Sequence, residues 1–404
     1  MSHNLFSGIF KGDRVIWGLI VVFAIFSLLA VYSSSVSIAF ARHGGNTTFF
    51  LKSQGVMLLF CITIIIVTSH LPYRIYSSLA GFFLIISFIL LILTLIFGVR
   101  INEAARWIEI PGTGFRIQTS DLAKTALVIY LARMLSKYQH ELKDFRLTTR
   151  VFLVPVAFIC IPVMPENLST SMMIFGISMI ILFIGRVPFK YILAWVGIGI
   201  AAVILVALLL DLTTDTNRVS VWKSRIETFI SGADDPDANF QSDQAKIAIA
   251  SGGLIGKAPG NSVQRNMLPQ SNSDFIFAII IEEYGLLFGA LPILLIYMIL
   301  LFRGIAIARK CETAFPAFLV LGLTIMIVVQ AIINMAVAVG LFPVTGQTLP
   351  MISWGRTSML VTSFSLGAIL GVSRVMRAKI KDEPLDDDEK ESFEDGVIYE
   401  GAAV

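Results

Sequence analysis

IYSSLAGFFLIISFILLILTLIFGV, residues 75–99, runs for twenty-five residues without a charge. A helix needs about 20 apolar residues to cross the hydrocarbon core of a bilayer, so this stretch reads as a membrane span. Runs of similar character stand at about 15–34, 53–69, 168–186, 190–210, 275–302, 315–341 and 350–373. Two weaker candidates complete the set. Residues 119–136 carry Lys124 and Arg133, and residues 151–165 are short and hold Pro155, Pro162 and Pro165. Proline is tolerated in a span where neighbours satisfy the freed carbonyls, so both are expected inside a bundle. The expectation is an all-α polytopic membrane protein with about ten spans.

Composition agrees. The chain has 404 residues, 56% hydrophobic and 15% charged, with a mean hydropathy of +0.81, whereas soluble domains are about 25% charged. A net charge of +3 is too small to argue for nucleic acid. Cys61, Cys160 and Cys311 sit in or beside apolar runs, without disulfide-framework or zinc spacing, and read as packing residues. MSHNLFSGIFKGDR leads into the first run without a small-residue cleavage site, so that run is expected to be an anchor.

Basic residues set the sidedness. With the N-terminus inside, the inner connections hold Lys11, Arg14, Arg74, Arg133, Lys137, Lys143, Arg146, Arg150, Arg186, Lys190, Arg303, Arg309 and Lys310. Arg374, Arg377, Lys379 and Lys381 follow the last span. The outer connection at 100–118 holds Arg100, Arg106 and Arg116. Both termini are therefore expected in the cytoplasm, flanking a membrane domain at 15–373 with an N-terminal segment 1–14 and a tail 374–404. The acidic end of that tail, from Asp382, is expected to be disordered, as a solvating or docking segment.

On this topology the connection at about 211–274 lies outside, between spans 7 and 8. It contains FISGADDPDANFQSDQAKIAIASGG, residues 229–253, with four aspartates in an otherwise apolar protein. A connection this long usually has a function of its own. Helical spacing in WKSRIETFI, and again at Gln244, Ile247 and Ala248, predicts short amphipathic helices at the membrane surface.

Ionisable residues within spans cost roughly 2.5–3.5 kcal/mol each at mid-bilayer and mark functional candidates. Here they are Lys124, Glu282, Glu283 and, near the start of the last span, Arg356. A structural pairing of Lys124 with Glu282 or Glu283 is one expectation; lining a wet cavity is the other. Arg106 beside Trp107 suits a lipid-linked phosphate, because arginine forks bind phosphate bidentately; an interfacial Arg–Trp anchor is the alternative.

GVRINEAARWIEI…FRIQTSDLAK resembles the G…RW…QPSE…K segment of the SEDS family, and SGADDPDANFQSDQAKIAIASGGLIGK resembles its outer loop. LPQSNSDFIFAIIIEEYG is similar to the family's LPE-x-HTDF…EE-x-G. NMAVAVGLFPVTGQTLPMISWGRTS is similar to P-x-x-G-x-x-LP-x-x-S-x-GG-[ST]-S, and more so to the family's division branch than to its elongation branch. There are departures. HTDF reads Asn272-Ser273-Asp274-Phe275, the preceding acid is Gln270, an inter-span acid is Asn167, and Arg356 stands where a second glycine is common.

The resemblance implies a glycan-strand polymerase that joins lipid II units at the outer face of the inner membrane. It places the general base at Asp235, with Pro236 restricting that residue to an extended backbone. Asp234 and Asp237 would raise its pKa by repulsion and could ligate a divalent cation; a solvated Asp-Pro turn is the alternative. Substrate contacts are expected at Arg106, Lys124, Gln118, Gln241, Asp274, Thr345 and Ser353, with Glu282, Glu283 and Arg356 as structural or cavity charges. The partner implied is a class B penicillin-binding protein transpeptidase, with membrane lipid and other division proteins around it. A lipid II flippase and a recruiting scaffold are the rival readings.

Overall fold

The computed structural model describes residues 11–36, 47–101, 104–110, 112, 115–212, 236–268 and 271–380. The first apolar runs form α1 (Arg14–Ser34), α2 (Thr47–His70) and α3 (Tyr73–Phe97). A three-stranded antiparallel sheet follows, in the order β1 (Val99–Ile101), β2 (Ala104–Ile110) and β3 (Phe115–Gln118). Then come α4 (Thr119–Lys137), α5 (Phe145–Val163), α6 (Leu168–Ile184), α7 (Phe189–Leu212) and α8 (Pro236–Gly252). The chain continues through α9 (Ile276–Gly285), α10 (Leu291–Ala308), α11 (Ala314–Ala338) and α12 (Arg356–Ile380). Among the described residues, eight segments are long and apolar enough to cross a membrane, α9 and α10 counting as one, and α6 is a shorter apolar helix. The protein is a mostly helical polytopic membrane protein.

The sheet departs from the loop expected at 100–118. AARWIEI and FRIQ alternate side chains about a strand axis, and pairing sets Trp107 opposite Gln118 and Glu109 opposite Arg116. The latter pair closes a cross-strand ion bridge at 3.0 Å. Apolar residues interleaved with charged ones form no helical stripe, and strands this short carry no signal that separates them from a loop before they are paired.

Burial orders the bundle. In α4, thirteen of nineteen residues are buried, Asp121 and Lys124 among them, and the helix packs on α3 and α11. The spanning windows of α11 and α12 are 67% and 83% buried, against 17% for α7. Polar residues are therefore affordable in α4 and α12, which face other helices rather than lipid. The last helix starts at Arg356, not 350, and runs to Ile380, beyond the expected 373. Hydropathy registers only apolar stretches, whereas a buried helix continues through polar residues.

Proline shapes two spans. A π turn at Thr149–Leu153 precedes Pro155 in α5, and another at Leu286–Ala290 precedes Pro292 in α10. The wider turn accommodates a ring that lacks an N–H.

One end of the bundle, away from the sheet, is tied by Asp13. Its carboxylate caps α1 through Val15 and Ile16 N–H and accepts from Arg303 Nε at 2.7 Å. Asp13 N–H donates to Ser373 Oγ at 3.0 Å, and Arg377 donates to the Gly12 carbonyl. Burial alone would push the Asp13 pKa up, but Arg303 and the two amides outweigh it and hold it below the ordinary value.

The helix expected around Gln244 exists as α8, but its buried face differs from the expected one. Ala245 and Ala248 pack against Leu268, Phe275, Ile279 and Val337, while Ile247 is 47% exposed. The WKSRIETFI helix lies outside the described residues.

Candidate active site

The sheet end of the bundle carries the candidate site. Between α11 and α12 the chain runs without helix through 341–355. Non-helical backbone within a bundle of spans must be satisfied by protein groups, and buried side chains do this. Asn334 Nδ2 donates to the Gln347 carbonyl at 2.6 Å and to the Asp274 carbonyl at 2.8 Å. Gln330 Nε2 donates to the Thr348 carbonyl at 3.0 Å. Gln347 in turn donates to Thr170 Oγ1 at 2.6 Å. Ser353 Oγ donates to the Ser273 carbonyl at 2.7 Å and accepts from Leu349 N–H, while Trp354 N–H donates to the Asn272 carbonyl. The segment is thereby stitched to the turn 271–275.

That stitching brings Asp274 and Arg106 together. Both border Gly346, which turns the chain with φ of +68°; a Cβ there would lie 3.4 Å from Arg106 Nη1 and 3.5 Å from Asp274 Oδ2. Arg106, half-buried on β2, donates from Nε to the Glu166 carbonyl at 3.2 Å. A cavity beneath it is lined by Thr94, Thr119, Ser120, Glu166 and Asn167. Burial pushes the Asp274 carboxyl up to about 6, although Ser273 and the Arg106 charge oppose the shift. Arg106 and Asp274 were named from sequence, and the structure brings them to one place. Thr345, which precedes Gly346, is half-buried, and Ser353 is fully committed to holding the turn.

Lys124 lies deeper. It is 3% exposed and donates to Asp121 Oδ1 at 3.1 Å and to Gln330 Oε1 at 2.5 Å. The expected pairing of Lys124 with Glu282 or Glu283 is thus incorrect. The cation found its acid one turn away in its own helix. Gln118, at the start of α4, donates its N–H to Thr357 Oγ1 and its amide to Ser120 Oγ. Arg356 is exposed and stacks on Trp354 at 5.8 Å from the ring centroid. Gln241 is half-buried in the first half of α8.

Glu282 and Glu283 are both buried and both held by the connection that follows α8. Glu282 accepts from Lys257 Nζ at 2.8 Å, Ser262 Oγ at 2.5 Å, and the N–H groups of Val263 and Gln264. Glu283 accepts from Ser33 Oγ and lies 3.7 Å from Arg265. Both carboxylates hold the connection between α8 and α9 through these contacts.

Asp234 and Asp235 lie outside the described residues, as does the side chain of Asp237. Among the described residues no group of three or more His, Cys, Asp or Glu is arranged to hold a metal. Gln330, Asn334, Gln347 and Thr170 were missed from sequence. Gln330 and Asn334 carried a signal, two amides one helical turn apart in an apolar run.

Residues 13–378 match the cell cycle protein family of FtsW, RodA and SpoVE. A Geobacter metallireducens protein named probable peptidoglycan glycosyltransferase FtsW is 32% identical over 371 residues, covering 90% of this chain and 95% of its own. The Escherichia coli O157:H7 protein of the same name is 31% identical, covering 89% and 85%. Among solved structures, a chain of a peptidoglycan synthase complex that coordinates polymerization and crosslinking superposes with a TM-score of 0.71 at 22% identity, covering 91% of this chain and 99% of its own. The Thermus thermophilus rod shape determining protein RodA gives 0.65 at 22%, covering 93% and 99%. End-to-end likeness in sequence and in fold agree: the chain belongs to the FtsW/RodA/SpoVE family.

Proposed function

We propose that this protein is a peptidoglycan glycosyltransferase that polymerises glycan strands from lipid II at the outer face of the inner membrane, in septal wall synthesis. One observation carries the reading: Arg106 and Asp274 meet at Gly346, next to a helix that begins one residue after Asp235. Phe275 and Val344, the neighbours of that meeting point, belong to the apolar cluster on which α8 rests. The relatives' names supply the reaction class.

In this reading the sheet end faces outward and both termini are cytoplasmic. The acceptor sugar hydroxyl attacks the donor's anomeric carbon, forming the glycosidic C–O bond as the bond to the lipid pyrophosphate breaks. The pyrophosphate leaves as an anion on its lipid. Asp235 takes the hydroxyl proton, a contribution of about 10²–10⁴-fold, and the Arg106 fork stabilises the leaving charge. Asp234 and Asp237 are the candidates for a divalent cation at this site. The transpeptidase partner is a class B penicillin-binding protein, a reading supported by likeness to a chain from a synthase complex.

The test is polymerisation of labelled lipid II by purified protein, with and without that partner, beside Asp235→Asn whose folding is checked by partner co-purification. Polymer from the wild type and none from the variant supports the reading. Polymer from both retires Asp235 as the base. A flippase is the second reading, favoured by the helix interruption at Gly285. Lipid II movement in sealed vesicles without polymer would select it.

A further inference from the structure

α9 and α10 arise from one apolar run, yet the helix is interrupted at Gly285, with φ of +75°. A break in a span frees backbone groups that need new partners. The stretch that follows α8 provides them. Leu286 and Leu287 N–H donate to the carbonyls of Gly253 and Leu254 at 3.0 and 3.1 Å, and Lys257 N–H donates to the Glu282 carbonyl at 3.0 Å. The contact is backbone against backbone. A methyl at Gly252 would collide with the Ile281 carbonyl, one at Gly256 with that of Glu283, and one at Gly285 with that of Leu254.

The Glu282 carboxylate locks this seam from the side. Besides Lys257, Ser262, Val263 and Gln264, it accepts from Ser251 Oγ in the last turn of α8 at 3.4 Å. A carboxylate has about four lone-pair sites, and here all its donors come from residues 251–264. Elsewhere α8 packs through Ala245, Ala248 and Ile249, whereas Phe240 to Gln244, nearer its start, are exposed or half-buried. The helix is therefore a lever held at its C-terminal end.

We propose that Glu282, through its bond to Lys257, is a positioning residue that sets the direction of α8, the helix that follows Asp235 in the sequence. The catalytic part of this inference rests on the polymerase reading above; the mechanical part does not. A helix of 17 residues is about 26 Å long. A tilt of about 5° at the anchored end displaces the other by about 2 Å, and misplacement of about 1 Å can cost 10²-fold in rate.

The test uses the full chain with its transpeptidase partner. Nitroxide labels on Asp243→Cys in α8 and Phe302→Cys in α10, in a Cys311→Ser background, report the α8 position by pulsed electron spin resonance. Glu282→Gln and the milder Lys257→Met are compared with the unsubstituted anchor for that distance and for kcat and KM with lipid II. The expected result is a shifted or broadened distance, kcat lower by about tenfold or more, and KM within about twofold. An unchanged distance in a folded Lys257→Met overturns the proposal. So does a fall in kcat at unchanged distance, which would make Glu282 a chemical participant, or a rise in KM alone. A wild type without polymerase activity would retire the polymerase reading, while the distance measurement would still decide the anchor.

Discussion

Replacing Lys124 by methionine tests the interior of the site. Lys124 and Asp121 are each 3% exposed. Removing the ammonium takes away its bonds to Asp121 at 3.1 Å and Gln330 at 2.5 Å and strands a carboxylate in the bundle. Breaking a buried pair from one side costs about 3–5 kcal/mol. Asp121 stands in the first turn of α4, where the helix dipole returns up to about 1 kcal/mol to an anion. Gln330 keeps its other bonds, to Thr348 and Ser358. The net expectation is a loss of about 2–4 kcal/mol. Lys124→Met combined with Asp121→Leu removes the stranded charge and should recover most of that, so the two substitutions should be strongly non-additive. The assay is equilibrium unfolding in mixed micelles with a full double-mutant cycle. A single-variant cost below about 1 kcal/mol, or a double variant no more stable than Lys124→Met, would refute the buried-pair argument.

Three further outcomes are expected. Asp13→Ala should destabilise the protein by about 1–3 kcal/mol through loss of the α1 cap and the Arg303 bridge. The Asp13 pKa is depressed, so the wild type's advantage should be present above the ordinary carboxylate range and fade on acidification, which unfolding between pH 3 and 7 would show. Asp274 has the opposite sign: its pKa is raised from 3.8 to about 6, so ionisation in the folded state is a cost that grows as pH rises through that window. Asp274→Asn should gain stability relative to wild type from pH 4 to 6, by up to about 3 kcal/mol for two pH units, and a pH-independent difference would contradict the burial argument. Arg106→Lys should keep folding but lower kcat/KM with a lipid-linked pyrophosphate substrate by about tenfold, because the planar fork is lost; an unchanged kcat/KM would remove Arg106 from the substrate.

The apolar runs announced nearly all the helices, because a span's hydropathy is a local property that survives any arrangement of its neighbours. Four ordered motifs carried the family, and Arg106 and Asp274 were legible within them. The sheet at 99–118 was not, since strands this short show alternation only when their pairing is known. Nor was the partner of Lys124: the expected acids were Glu282 or Glu283 in another span, and the packed helices pair it instead with Asp121, one turn away. The role of Glu282 emerged only with the break at Gly285 and the return of residues 251–264 against it. The sequence by itself determined that this chain is a multi-span membrane protein and which charges are too costly to be idle. Only the tertiary structure decided what each charge holds, because a buried ion takes the partner that helix packing delivers, and that choice depends on contacts hundreds of residues apart.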